Sequence, residues 1–343
     1  MLTAIAAIAL RLFSFNICGE WGGGGNAPHP SDHASGRFCI YNIETFGVNM
    51  LKYSQLKSLK KFGLQTVIPA LEKAGYSKKA TMLYYCGTQK HLALCQGCHS
   101  VYFNGANTCK DRFCPICNKK RSLLYLAKIY PILADLLDKG YYINIVNYTI
   151  KDTENLKQGI DILQRSFRML THEDKVYRKK YKESFVGGIK SLEIKTGKNS
   201  GLWHPHFHSI VVKKKNTKDF DWLKEAWETC TSKVAGTNEK IGSVWLKGFS
   251  SKNKTKLLKS VLETLKYITK FDWDVTEKVS ELVETLSGVR TINTYGILRG
   301  LQPAEKDLDK SIEDITNIVC KICGSTDFVT FDAENDYINI EDF

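Results

Sequence analysis

Residues 185–212 read FVGGIKSLEIKTGKNSGLWHPHFHSIVV, and this stretch decides the fold. Two apolar runs, 185–195 and 205–212, flank a loop that begins Thr-Gly-Lys-Asn-Ser-Gly. Each run has strand length and strand composition, and the short connection predicts an antiparallel pair. Three of the eight histidines of the chain, His204, His206 and His208, fall within five residues of the second strand. Alternate side chains of a strand share a face. His206 and His208 therefore point the same way, about 6–7 Å apart along the strand, while Phe207 points into the core. Two neutral imidazoles on one face suit a divalent cation, and a carboxylate usually completes such a site. Glu193, between Leu192 and Ile194 on the preceding strand, is the expected donor. Sequence does not set the hairpin register, so His204 stays open as a rival third ligand.

Outward from this pair, the chain alternates strands with helices. A helical pattern covers 119–138, with a kink or break expected at Pro131. Further strands are expected at 141–150, 244–249 and 292–301. Further helices are expected at 156–169, 219–232, 256–270 and 275–286. Strands with interspersed helices and short hairpins predict an α+β domain on an antiparallel sheet.

Cysteines cluster before this domain. Cys95-x2-Cys98 and Cys114-x2-Cys117 are fifteen residues apart. Two such knuckles can present four thiolates to one zinc, and the intervening stretch has the length of a ribbon hairpin. Cys109 is an alternative fourth ligand, with His91 and His99 behind it. Four sulfur ligands leave no open position, so this zinc is expected to be structural. Lys110, Arg112, Lys119, Lys120 and Arg121 surround the motif and suit phosphate contact. Cys320-x2-Cys323 reads as a lone knuckle, with Cys86 and Cys109 the candidates to complete a second site. Eleven cysteines, an odd count clustered in pairs, fit reduced thiolates and hence a cytoplasmic protein better than a disulfide framework.

The 343 residues carry 49 Lys and Arg against 36 Asp and Glu, a net charge of +13. Residues 303–343 hold three lysines against eleven carboxylates, leaving +21 on residues 1–302. A basic body of this size attracts polyanions, nucleic acid first. The acidic tail reads as a solvated extension or as a shield over the basic surface. No apolar run reaches the roughly 20 residues of a membrane span, so no membrane partner is expected. Residues 1–80 are expected to be a partly flexible extension, with linker composition over 16–36. Their apolar start, 2–10, reads as a poor signal sequence, an organelle-targeting start or translated upstream sequence. The expected domains are then a zinc-binding segment at 81–121, a catalytic domain at 122–302, and the acidic tail.

The helix expected at 256–270 carries Leu257, Leu258, Val261, Leu262, Leu265 and Ile268 on one stripe. Glu263, Tyr267 and Lys270 lie opposite that stripe. Glu263 and Tyr267 are i, i+4 neighbours. A base beside a phenol helps because the ordinary tyrosine pKa of about 10 makes it a poor nucleophile at neutral pH.

HPHFH after a strand glutamate, with E-x-L-K-Y-x-x-K downstream and CKDRFCPICNKKRS upstream, resembles the rolling-circle replication initiators of small plasmids, in the HUH endonuclease superfamily. The resemblance spans roughly residues 86–300. It implies an antiparallel-sheet nuclease domain with flanking helices, preceded by a zinc-ribbon-like segment. It implies Mg2+ or Mn2+ on His206 and His208, with Tyr267 as the nucleophile at the origin nick site. Glu263 would activate water in the terminating step. Lys266 and Lys270 are candidate phosphate contacts beside the nick. Lys213–Lys215 and the run Tyr177–Lys182 supply further candidate contacts, with Tyr177 and Tyr181 as base-stacking surfaces. DNA is the implied partner, with host helicase, polymerase and single-strand-binding protein. Rival readings are an HUH transposase, a zinc-ribbon DNA-binding protein that does not cleave, and a zinc hydrolase using His204, His206 and His208. The two-tyrosine transposases carry a second Tyr one turn away, and residues 256–274 contain only Tyr267.

Overall fold

Five strands form the sheet that carries the histidines. They are β3 (Tyr142–Ile150), β4 (Gly187–Thr196), β5 (Trp203–Lys213), β6 (Gly242–Gly248) and β7 (Ile292–Gly296). Their order is β6-β3-β5-β4-β7, antiparallel throughout, with β5 at the centre. The structure is a computed structural model. It describes residues 53–99, 101–197, 199–214, 220–248, 276–301, 320 and 322–333, together with Leu257, Val261, Thr264 and Leu265. All of them lie within one unit, Ile43–Phe343.

One face of the sheet is apolar. Val146, Tyr148, Leu192, Ile194, Phe207 and Val211 alternate onto it and join a single core. Helices α5 (Leu156–Arg168) and α7 (Asp221–Ala235) cover it with Ile160, Leu163, Phe167, Leu223 and Trp227. Asn155 caps α5, accepting from the Gln158 amide at 2.8 Å. Gly236, at φ 67°, ends α7 in the left-handed conformation glycine adopts most readily. Phe167 sits at the hub of the core, edge-on to Tyr148, Tyr181, Phe207 and Tyr295.

The opposite face carries His206 and His208. Helix α4 (Pro115–Asp138) packs on β3 and runs unbroken through Pro131. A proline removes one helix hydrogen bond, and the 14 buried residues of α4 hold the rod together around it. Leu257, Val261, Thr264 and Leu265 are helical and buried. Ser122 on α4 donates to the Leu265 carbonyl at 2.8 Å, which seats that helix on α4.

Residues 53–80, within the expected partly flexible extension, are largely helical. Helix α1 (Tyr53–Phe62) continues through a π-helical turn, Gly63–Val67, into α2 (Ile68–Lys73). Leu56, Val67 and Leu71 from this run belong to the main core. Residue 80 falls inside α3 (Ser77–Tyr85), and residue 121 inside α4. The tail also contributes structure. Strands β1 (Lys90–Cys95) and β2 (Val101–Ala106) form a hairpin, and β8 (Phe328–Ala333) adds to β1, with Lys90 opposite Ala333 and Cys95 opposite Phe328. Residues 1–52, 302–319 and 334–343 lie outside the described residues. The last expected strand stops at Gly296, where φ is +60° and a Cβ would meet the Val186 carbonyl oxygen at 2.2 Å.

Candidate functional site

The β4–β5 register settles which donors meet. Glu193 stands directly opposite His206, and Ser191 opposite His208. On the other side of β5, Thr149 faces His206 and Asn147 faces His208. Glu193 Oε2 lies 2.6 Å from His206 Nε2 and 2.7 Å from His208 Nε2, and the two imidazole nitrogens are 3.1 Å apart. All three side chains are buried, Glu193 completely. His204 is excluded from the group: its Nδ1 lies 2.7 Å from Asp152. His206 Nδ1 lies 3.1 Å from the His204 carbonyl oxygen. A proton on that nitrogen would leave the Nε2 lone pair for a cation shared with Glu193.

These residues fit a hard divalent cation. With ligands at about 2.1 Å, neighbouring donors of an octahedron are about 3.0 Å apart, against about 3.4 Å for a zinc tetrahedron. The observed 2.6–3.1 Å brings all three donors within reach of one ion, with Glu193 hydrogen-bonded to both imidazoles in its absence. Asn147 Oδ1 and Ser191 Oγ, on either side of His208, are buried without a protein partner. Such atoms are satisfied by the water shell that a cation of this kind retains.

The electrostatics favour ligation. Burial works to raise the Glu193 pKa, but hydrogen bonds from His206, His208 and Lys195 outweigh it and hold the carboxyl down to about 2. Lys195 Nζ is 2.9 Å from Glu193 Oε1. Burial lowers the His208 pKa against the pull of Glu193, so its imidazole is held neutral.

One residue on this face escaped the sequence reading. Trp245 on β6 stands opposite Asn147, in the same cross-strand row as His208, and is 54% exposed. It sits two strands, or about 10 Å, from His208. An isolated tryptophan in a strand carries no signal until the register places it beside the histidines.

The four cysteines expected at one zinc divide between two clusters. Cys114 and Cys117 gather with Cys86 and Cys109, and Cys95 and Cys98 gather with Cys320 and Cys323. The reason is the β1–β2 hairpin. It carries the Cys95–Cys98 turn at its tip, while Cys109, Cys114 and the first turn of α4 lie beyond its other end, beside the end of α3. In the first cluster the Cys86–Cys114, Cys86–Cys117 and Cys109–Cys117 sulfurs are 3.4, 3.6 and 3.7 Å apart. A disulfide is about 2.05 Å long. Zinc–sulfur bonds of about 2.3 Å give a tetrahedral edge of about 3.75 Å, close to the distances found. Contacts with Cys109, Cys117 and Cys86, followed by burial, push the Cys114 thiol up, so the quartet cannot ionise fully without a cation. Lys60 donates to the carbonyls of Tyr84 and Cys86 and brings a positive charge to the cluster.

Several expected DNA contacts are internal. Lys213 is buried with its ammonium 4.4 Å from the Phe220 ring centre. Tyr181 is buried and shares a 2.7 Å hydrogen bond with Tyr295, so it offers no stacking surface. Arg112 donates to the carbonyls of Leu286, the last residue of α8 (Thr276–Leu286), and of Val289 just beyond it. Arg178, Lys179 and Lys182 on α6 (Lys175–Ser184) are exposed. A cleft of about 820 Å3 is lined by Lys79, Lys110, Arg112, Arg121, Tyr125 and Arg290 among others. Glu263, Lys266, Tyr267, Lys270 and Lys215 lie outside the described residues.

Sheet and site together define a class: an α+β protein with a buried Glu-His-His group able to hold a cation on an antiparallel sheet, beside cysteine clusters, in a basic chain. The comparisons are more particular. The replication protein family model matches residues 100–321. A protein rep of a Bacillus species is 28% identical over 252 residues, covering 65% of this chain and 80% of that protein. A protein rep of Lactiplantibacillus plantarum is 26% identical over 230 residues, 61% of this chain and 68% of that protein. No solved structure matches. The chain belongs to the replication protein family, the rolling-circle plasmid initiators.

Proposed function

We propose that this chain starts plasmid replication by nicking one DNA strand through a tyrosine nucleophile, on an HUH-type sheet. The observation that carries this reading is the convergence of Glu193, His206 and His208 on one buried point. A Mg2+ or Mn2+ ion bound there supplies charge neutralisation at the scissile phosphate. Glu193 stays ionised and burial disfavours the protonated form of His208, so protons compete weakly for that charge. The oxygen of Tyr267 attacks phosphorus. A tyrosine–phosphate bond forms at the 5′ end, the bond to the 3′ oxygen breaks, and the proton lost by the phenol balances the one gained by the 3′-hydroxyl. Glu263, one helical turn before Tyr267, activates the water that ends the cycle. Lys266 and Lys270 contact flanking phosphates.

Trp245 is placed to stack a base of the single strand as it crosses the sheet toward His208. The exposed cations of α6 and the basic cleft supply backbone contacts. Zinc in the cluster of Cys86, Cys109, Cys114 and Cys117 braces α4 beneath this face. The family resemblance also supplies host helicase, polymerase and single-strand-binding protein as partners.

The test is incubation with single-stranded origin DNA and Mn2+, followed by denaturing electrophoresis. A covalent protein–DNA adduct is expected from the unmodified chain and none from Tyr267→Phe. His208→Ala should lose nicking while retaining most duplex binding. An adduct formed by Tyr267→Phe, or full nicking by His208→Ala, would refute the assignment.

A further inference from the structure

We propose that Cys95, Cys98, Cys320 and Cys323 hold a second zinc ion, which clasps the C-terminal strand to the β1–β2 hairpin. The four sulfurs converge, with Cys95–Cys323 and Cys98–Cys320 both 3.5 Å apart. That spacing is far beyond a disulfide and near a zinc tetrahedron edge.

The backbone repeats the argument. In the first knuckle the His99 amide donates to the Cys95 carbonyl at 2.8 Å, and in the second the Gly324 amide donates to the Cys320 carbonyl at 2.9 Å. The residue after each second cysteine is left-handed, His99 at φ 58° and Gly324 at φ 75°. Two segments more than 200 residues apart thus adopt one turn, each aiming both thiols at the other. A histidine accepts a left-handed backbone only at a cost, and a bound metal gives that strain a purpose. Gly97 completes the fit: a Cβ there would meet Cys323 Sγ at 3.0 Å and Ser325 Cβ at 3.0 Å. The strand that follows is tied in as well, the Gln96 amide donating to the Asp327 carbonyl at 2.9 Å.

The site is distinct from the buried quartet. Three of the quartet's cysteines are buried, whereas Cys98 is half-buried and Cys323 exposed. The family model spans 100–321 and takes in only Cys320 of the four. Family membership therefore does not supply this site; the geometry does. Four soft thiolates in a tetrahedron select zinc, each thiol losing its proton on binding.

Native mass spectrometry and elemental analysis of the full chain test the proposal. A His206→Ala/His208→Ala background confines the count to the cysteines. After dialysis against a mild chelator this protein should retain two zincs. Adding Cys98→Ser and Cys323→Ser should remove one, and adding Cys114→Ser instead should remove the other. Hydrogen exchange in the Cys98/Cys323 variant should speed up over 90–106 and 320–333, leaving the five-stranded sheet protected. Gly97→Ala keeps all four sulfurs but displaces Cys323, and should release one zinc to the chelator faster than the parent. One zinc in the parent, iron in place of the second zinc, or two zincs surviving in the Cys98/Cys323 variant would overturn the clasp.

Discussion

A single buried carboxylate sets the character of the sheet centre. Glu193 has a pKa near 2, and burial keeps the His208 pKa below its ordinary value. Protons compete with metal at a histidine only below its pKa, so the sign is clear. Cation binding should be complete above the ordinary histidine value of about 6.5 and should persist somewhat below it. Mn2+ affinity measured by calorimetry is expected to be flat from pH 8 to about 6.5, falling only in more acidic solution. A steep loss already between pH 7.5 and 6.5 would mean that His208 titrates as an ordinary imidazole. Glu193 and the two histidines were legible as a group because alternation on a strand is local. The exclusion of His204 was not legible, since it depends on register and on Asp152 from another loop. Trp245 was invisible for the same reason.

At the scale of elements, the glycine pair in β4 shows how closely the sheet is packed. A Cβ on Gly188 would lie 2.5 Å from the Ile210 carbonyl oxygen and 2.6 Å from the Tyr295 hydroxyl. That hydroxyl holds the buried hydrogen bond with Tyr181. Gly188→Ala must therefore shift backbone or expel Tyr295, at about 2–4 kcal/mol from overpacking and a broken buried bond. Thermal denaturation should show a Tm lower by roughly 3–6 °C; an unchanged Tm would mean that β4 and β7 yield freely. The helices and strands of the sheet were readable from periodicity to within a few residues. The cysteine grouping was misread because C-x2-C spacing counts along the chain, whereas a hairpin decides which knuckles meet. Of the kink or break expected at Pro131, the break does not occur, because burial of α4 outweighs one missing hydrogen bond.

For the whole molecule, a net charge of +13 makes binding to DNA depend on counterion release. Affinity for nonspecific single strands should fall steeply and log-linearly with salt. Trp245→Ala should weaken binding by about 1–3 kcal/mol while leaving the salt slope unchanged, because stacking releases no counterions. Fluorescence anisotropy across a salt series reads both; a flattened slope in that variant would remove Trp245 from the strand's path. The acidic tail cannot be deleted simply to test shielding, because residues 303–343 include β8 and two of the clasp cysteines. Composition made the tail look detachable, and only strand pairing reveals that part of it belongs to a sheet.

The pairing of Lys90 with Ala333 also has a temporal meaning. The β1–β2 hairpin can zip within microseconds of leaving the ribosome, but its third strand begins at Phe328, 233 residues after Cys95 ends β1. While the residues between them are made, β1 therefore waits with an open edge, which is a template for pairing with the wrong chain. Lys90 at the start of that strand guards the edge, and because β8 follows β7 in the chain, completion of this small sheet is a signal that every strand of the five-stranded sheet has already been made.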